Sequence, residues 1–177
     1  DKKFLEDLLE EIKGAGIVSL STLRSKFGVS ERNLKSIIKG LMEKGALGGI
    51  FSVDGSKVLL FDALRNEVIK HIEEKGATSI AEICERFSAP ENVVLDIVQK
   101  ALREKEIDGF MTDDERIFTY EGLKNLIEST VSEEKIISLR ELSDRLNLPD
   151  ARILNATRDL EKEGRVYGYI DERTREY

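Results

Sequence analysis

The sequence predicts a mainly α-helical chain with small β-wings, an α+β fold of three tandem winged-helix domains, each a helix-turn-helix followed by a β-hairpin. Three observations lead there. The stretch Ser79 to Tyr120 reads as a short helical pattern, a turn, a longer helical pattern, and two short strands around an acidic turn. That stretch recurs: a slide of 60 residues sets Leu20 on Ile80, and a further 59 sets Ile80 on Leu139, with no gap needed inside the unit. The matched positions are apolar at helical spacing, as with Leu23, Ile83 and Leu142, or Leu34, Val94 and Ile153. The repeat divides the chain into residues 1–62, 63–121 and 122–177.

In the first copy, Phe4, Leu5, Leu8, Leu9 and Ile12 form one side of a helix near Lys3 to Lys13, stopped by Gly14 and Gly16. Ile17 and Val18 suit a short strand. A second helix runs from Ser19 to Phe27, Gly28 makes the turn, and Ser30 opens a third helix that runs to Lys44 with Leu34, Ile37, Ile38 and Leu41 inward. Ile50 to Val53 and Lys57 to Phe61 are strands joined by Asp54-Gly55, a strong hairpin signal. The second copy opens near Ala63 and the third near Gly122. Ser79 with Glu82, and Ser138 with Glu141, have capping-box spacing. Pro90 and Pro149 are expected in the first turn of the two later third helices, where a missing N–H is harmless. The wings of these copies are Phe110–Thr112 with Ile117–Thr119, and Val166–Ile170. Linkers of one to three residues leave little slack between copies.

Charged residues make up 36% of the 177 positions, and there is no Trp. No apolar run approaches the roughly 20 residues that span a membrane, and no signal-peptide pattern opens the chain. One cysteine excludes an internal disulfide and fits a reducing compartment, so a cytoplasmic setting is expected. The net charge of −7 is uneven: 10 basic and 9 acidic groups in 1–62, 8 and 14 in 63–121, 10 and 12 in 122–177. The chain starts at Asp1 without Met and its last wing strand stops short at Tyr177, which suggests a fragment.

The inventory of reactive groups is thin. His71 is the lone histidine, and a metal site needs several ligands. Cys84 sits beside Glu82 and Glu85, which would raise its pKa rather than activate it. Paired carboxylates such as Glu73-Glu74 and Asp113-Asp114 fall at helix ends and hairpin turns, where solvation is expected. No P-loop, GxGxxG, GxSxG or HExxH occurs. No residue is therefore assigned as catalytic, cofactor-binding or metal-binding, and no cofactor is expected. Arg32, Lys35 and Lys39, at i, i+3 and i+7 on the polar side of the first copy's third helix, with Lys57 in its wing, are the candidate nucleic-acid contacts. The corresponding helices offer Glu91, Asp96 and Lys100 in copy two, and Asp150, Arg152, Asn155 and Arg158 in copy three. Phe51, Phe110, Tyr167 and Tyr169 lie in or near wing strands, where period 2 turns some outward, although packing between copies is the expected use.

Two segments, KEIDGFMTDDERIFTY and GRVYGYIDERTREY, are similar to the winged-helix end of PCI domains, the scaffold modules of the proteasome lid and related complexes. TSIAEICERFSAPENVVLDIVQKAL with RIFTYEGLKNLI, and LSDRLNLPDA, resemble the consecutive winged helices of the E3 ligase for the ubiquitin-fold modifier. The resemblance covers most of copies two and three and the general pattern of copy one. It implies a scaffold without a catalytic cysteine that binds an adaptor winged-helix protein and a conjugating enzyme. It assigns no contact residue to an individual position here. The expected function is thus a non-catalytic protein-interaction scaffold, the docking part of such a ligase assembly. The alternative is a DNA-binding regulator using Arg32, Lys35, Lys39 and Lys57, which the overall negative charge opposes.

Overall fold

A computed structural model describes residues 1–134 and 136–166. The order of elements is α1 (Lys2–Ala15), β1 (Ile17–Ser19), α2 (Leu20–Phe27), α3 (Glu31–Glu43), β2 (Gly49–Phe51), β3 (Lys57–Leu60), α4 (Phe61–Lys75), β4 (Ala77–Ser79), α5 (Ile80–Phe87), α6 (Glu91–Arg103), β5 (Gly109–Met111), β6 (Arg116–Thr119), α7 (Tyr120–Glu134), α8 (Leu139–Leu146) and α9 (Asp150–Lys162). The described chain is thus mainly helical with small antiparallel sheets. The sheets have strand orders β1-β3-β2 and β4-β6-β5. The expected third wing falls almost wholly on residues 167–170, outside the described residues.

The repeat is visible in backbone hydrogen bonds. Gly16 O accepts from Leu60 N and Gly76 O from Thr119 N, both at 2.9 Å; Gly48 O accepts from Phe61 N at 3.0 Å and Asp108 O from Tyr120 N at 2.9 Å. The second helices, α2, α5 and α8, are all 8 residues long, and the third, α3, α6 and α9, are all 13. The turn between them holds one left-handed residue in each copy: Gly28, Ser88 and Asn147, with φ 66°, 51° and 51°. The side chain changes while the backbone state persists, because the turn geometry, not the residue, is what the packing requires.

Several sequence expectations need correction. Copies one and two do not align without a gap: Ile17 pairs with Leu59 and Ala77 with Phe118, so the offset is 60 before the hairpin turn and 59 after it. Gly14 lies inside α1 and only Gly16, with φ 75°, ends it; a glycine without a turn to make does not stop a helix. Leu5 is exposed while Leu8 and Ile12 are fully buried, so the apolar stripe of α1 is narrower than expected. Helices α4 and α7 begin at Phe61 and Tyr120, not near Ala63 and Gly122, because strands β3 and β6 run into them without a linker. Pro90 and Pro149 sit at the N-cap, one residue before the first turn, with ψ near 142° and 144°. The proline ring fixes φ, and the cap needs an extended ψ. Strand β4 has no forerunner in the sequence reading, since Ala77-Thr78-Ser79 is too weakly apolar to stand out.

The described chain forms two compact units, each taken on its own. One comprises Asp1–His71 and Ile80–Glu106, the other Ile72–Ser79 with residues from Ile107 on. The first holds a core of Leu8, Ile12, Leu23, Leu34, Ile38 and Val58. The second is built on Phe110, Phe118, Leu123, Ile127, Leu142 and Ile153. Both units combine the sheet of one repeat with helices of the next, so they run out of phase with the sequence repeat.

Glycines separate two effects. A Cβ on Gly122, in the first turn of α7, would fall 2.1 Å from the Gly76 carbonyl oxygen, whereas one on Gly40, inside α3, meets nothing within 4 Å. Gly40→Ala is expected to stabilise the protein by about 1 kcal/mol through helix propensity. Gly122→Ala is expected to destabilise it by about 2 kcal/mol or more, because backbone must move. Urea denaturation of both variants checks the opposite signs.

Candidate interaction surfaces

In the first unit, α3 buries Leu34, Ile38 and Leu41, and its 3.6-residue period turns Arg32, Lys35 and Lys39 to the exposed side. Lys57, the first residue of β3, is exposed as well. The structure brings helix and hairpin together at Lys35. Its Nζ lies 5.5 Å from the centre of the half-buried Phe51 ring, and 2.7 Å from where a Cβ on Gly55 would be. The hairpin turn is held by Asp54, whose Oδ1 accepts from Ser52 Oγ (2.6 Å), Ser56 Oγ (2.8 Å) and Ser56 N (3.0 Å). The Ser52 hydroxyl, then the Ser56 amide and hydroxyl, with a smaller pull from Lys57, hold the Asp54 carboxyl at about 2. The tip is anchored by Val53 N, which donates to Ser88 O at 2.7 Å.

The second unit repeats that anchorage with a side chain. Arg116, at the position of Lys57, donates from Nη1 to Leu146 O (2.8 Å) and from Nη2 to Asn147 O (2.6 Å). These are carbonyls at the C-terminal end of α8, where orphaned acceptors and the helix dipole favour a cation. Arg116 Nε contacts both carboxylate oxygens of Asp114, at 3.1 and 3.0 Å, and Thr112 Oγ1 also donates to Asp114. The Thr112 hydroxyl, then Arg116, lowers the Asp114 pKa. Phe110 is buried, stacks on Phe118 at 5.5 Å, and carries the Arg152 guanidinium 4.0 Å from its ring centre. Arg152 Nη1 also reaches Tyr120 Oη at 3.3 Å. Nearby, Arg165 contacts Glu121 (2.7 Å), Glu128 (3.0 Å) and Glu163 (3.0 Å), and Lys124 contacts Glu163 (2.7 Å) and Glu121 (3.1 Å). This network fastens the end of α9 to α7. Lys124, then Arg165, lowers the pKa of Glu121 and of Glu163.

Two grooves occupy the same position in successive repeats, between the start of a first helix and the face of a third. One, of about 570 Å³, is lined by Phe61, Arg65, Asn92, Val93, Asp96 and Ile97 among others. The other, of about 300 Å³, is lined by Tyr120, Lys124, Arg152, Asn155, Ala156 and Asp159 among others. Phe61 and Tyr120, the mouths of the two, are 43% and 41% exposed. His71 packs edge-on against Phe87 at 5.9 Å, and Cys84 is half-buried. Among the described residues no three His, Cys, Asp or Glu side chains converge to hold a metal ion, and no helix is long and apolar enough to cross a membrane. Of the aromatics expected near wing strands, Phe51 is half-buried, Phe110 is buried, and Tyr167 and Tyr169 lie outside the described residues. Sequence reasoning missed Arg116, Phe61 and Tyr120, and named Arg152 only as a copy-three counterpart of the α3 cations. The signal for Arg116 was present, since Lys57 and Arg116 share one place in the repeat; for the aromatics the signal was their shared place just before the expected helix starts.

These features define a repeat protein of two-helix corners and small sheets, whose exposed chemistry is charge and aromatic surface. The chain belongs to the E3 UFM1-protein ligase 1 family, whose sequence model matches residues 59–177. Over 94 residues it is 33% identical to the HTH-type transcriptional regulator IolR of Bacillus subtilis (strain 168), covering 51% of this chain and 36% of that protein. It is 23% identical over 96 residues to the DDRGK domain-containing protein 1 of Osmerus mordax, covering 54% and 32%, and 23% identical over 100 residues to that of Danio rerio, covering 56% and 33%. The chain therefore spans about a third of the length of each of these relatives.

Two measurements test the geometry. The Asp54 carboxyl should titrate by NMR near 2, and Ser52→Ala should return it towards the usual value of about 4. Because its folded pKa lies below the ordinary one, its contribution to stability is complete above about pH 4 and is lost as pH falls towards about 2. Arg116→Met should cost about 2 kcal/mol in urea denaturation, and Arg116→Lys should recover less than half, since lysine lacks the fork that reaches both carbonyls.

Proposed function

We propose that this chain is a non-catalytic docking module of a UFM1-ligase assembly, built of three tandem winged helices over residues 1–62, 63–121 and 122–177. The family match over 59–177 carries this reading. The similarity to DDRGK domain-containing proteins supports it, as does a surface where aromatics and paired charges, rather than a reactive cleft, are presented. Its partners on this reading are an adaptor winged-helix protein and a conjugating enzyme, and it acts by holding them together in the cytoplasm. Cys84 takes no part in bond-making: it is half-buried on α5, flanked by Glu82 and Glu85. We place the partner contact at the twin grooves, where Phe61 and Tyr120 offer partly exposed rings of the kind that anchor protein interfaces.

The test is reconstitution. The chain is added to a UFM1-charged conjugating enzyme, and transfer to lysine is followed with and without a DDRGK-type adaptor from the same source. Cys84→Ser should leave transfer unchanged, and Phe61→Ala with Tyr120→Ala should weaken partner binding about tenfold or more. Loss of transfer in Cys84→Ser, or a chain that binds neither protein by calorimetry, would remove the proposal.

A further inference from the structure

We infer that the exposed face made by α3 and the β2–β3 hairpin in the first unit binds B-form DNA, with α3 in the major groove and the hairpin along the backbone. The inference does not depend on the docking role above.

The three repeats serve as internal controls. Where repeat one has Arg32, Lys35, Lys39 and Lys57, repeat two has Asn92, Leu95, Gln99 and Arg116. Repeat three has Ala151, Leu154 and Arg158 at the helical positions. Only repeat one places a cation at each helical position. The exchange at Lys35 is the most telling. Its counterparts Leu95 and Leu154 are half-buried and buried, yet Lys35 is exposed, so a packing position has become a charged surface position. All four cations of repeat one are exposed, although the hairpin tip is anchored on Ser88. The salt bridges described in this unit draw on other cations, namely Lys3, Arg24, Lys26 and Arg65.

The geometry suits a duplex. Arg32, Lys35 and Lys39 form a stripe about 10 Å long on one helix face. The major groove is about 12 Å wide and admits a helix, whereas the deep, narrow groove of A-form RNA does not. Lys35 lies against Phe51 and the Gly55 turn, so the cationic face of α3 adjoins the hairpin turn. Three acidic groups border this face, one of them Glu43, exposed and one turn beyond Lys39 on the same helix face. Glu31 is paired with Arg24 at 3.7 Å, and Asp54 is turned into its own hairpin, where Oδ1 accepts three hydrogen bonds while the carboxylate keeps its charge. An acidic polypeptide would satisfy the charge but not the spacing of a helix that fits a groove.

The test is fluorescence anisotropy of the full chain with a labelled random-sequence DNA duplex. Affinity should fall about 10²-fold between about 50 and about 200 mM salt, the slope of about four phosphate contacts. Lys35→Glu with Lys39→Glu should weaken low-salt binding at least about tenfold and reduce that salt dependence to about tenfold. Arg32→Gln with Lys57→Gln, all at exposed positions, should reduce it similarly without reversing charge. Lys2→Glu with Lys13→Glu, on exposed positions of α1, makes the same change in net charge away from the face and should retain binding. Circular dichroism establishes that each variant is folded. No binding at low salt would overturn the inference. So would equal losses in the α1 control, or polyglutamate or an RNA duplex competing as well as unlabelled DNA.

Discussion

The rest of this structure depends on one contact: a hairpin tip of one repeat seated on the two-helix corner of the next. In the first unit the contact is backbone to backbone, Val53 N to Ser88 O. In the second it is Arg116 reaching Leu146 O and Asn147 O. Ser88 and Asn147 occupy the same left-handed place in the repeat. The physical demand is common to both. A helix end leaves carbonyls without partners, and a unit of about 60 residues buries too little surface to stand easily alone. Seating a hairpin on that corner satisfies the carbonyls and lends apolar surface at once. The compact units consequently run out of phase with the repeat, each joining a sheet to the helices that follow it.

Much of this was legible in the sequence because it rests on periodicity. The 8- and 13-residue helices, the Ser19, Ser30 and Ser138 caps and the Asp54-Gly55 turn all carry local signals that the structure obeys. What escaped depends on relations between distant residues. A missing linker before Phe61 cannot be seen when strand and helix are both apolar at the join. The shortened turn between Thr112 and Arg116 was hidden because matching began from the helices, where the offset is constant. Arg116 looked like an ordinary surface cation, and its role exists only because Leu146 and Asn147 end a helix next to it. The cations of α3 were legible as a group, but that Lys35 lies against Phe51 and the Gly55 turn was not.

Charge divides the chain along similar lines. Cations of the second unit are largely committed: Arg116 to Asp114 and to carbonyls, Arg165 and Lys124 to Glu121, Glu128 and Glu163. These pairs fasten elements to each other, and their directions of pKa shift reflect it, with Glu121 and Glu163 lowered and Lys124 raised. In the first unit Arg32, Lys39 and Lys57 face outward and none of the unit's described salt bridges draws on them. One architecture thus uses its positive charge internally in one place and displays it in another.

The direct passage of β3 into α4 and of β6 into α7 has a consequence for how such chains can diverge. A helix advances about 100° for every residue, so a single codon gained or lost at Leu60-Phe61 or Thr119-Tyr120 would rotate the entire buried stripe of the next helix out of register. At the hairpin tip the same event only lengthens a loop, as the difference between the Asp54 and Asp114 turns already illustrates. Length variation among descendants of this ancestral duplication should therefore accumulate at the tips and be purged from the seams.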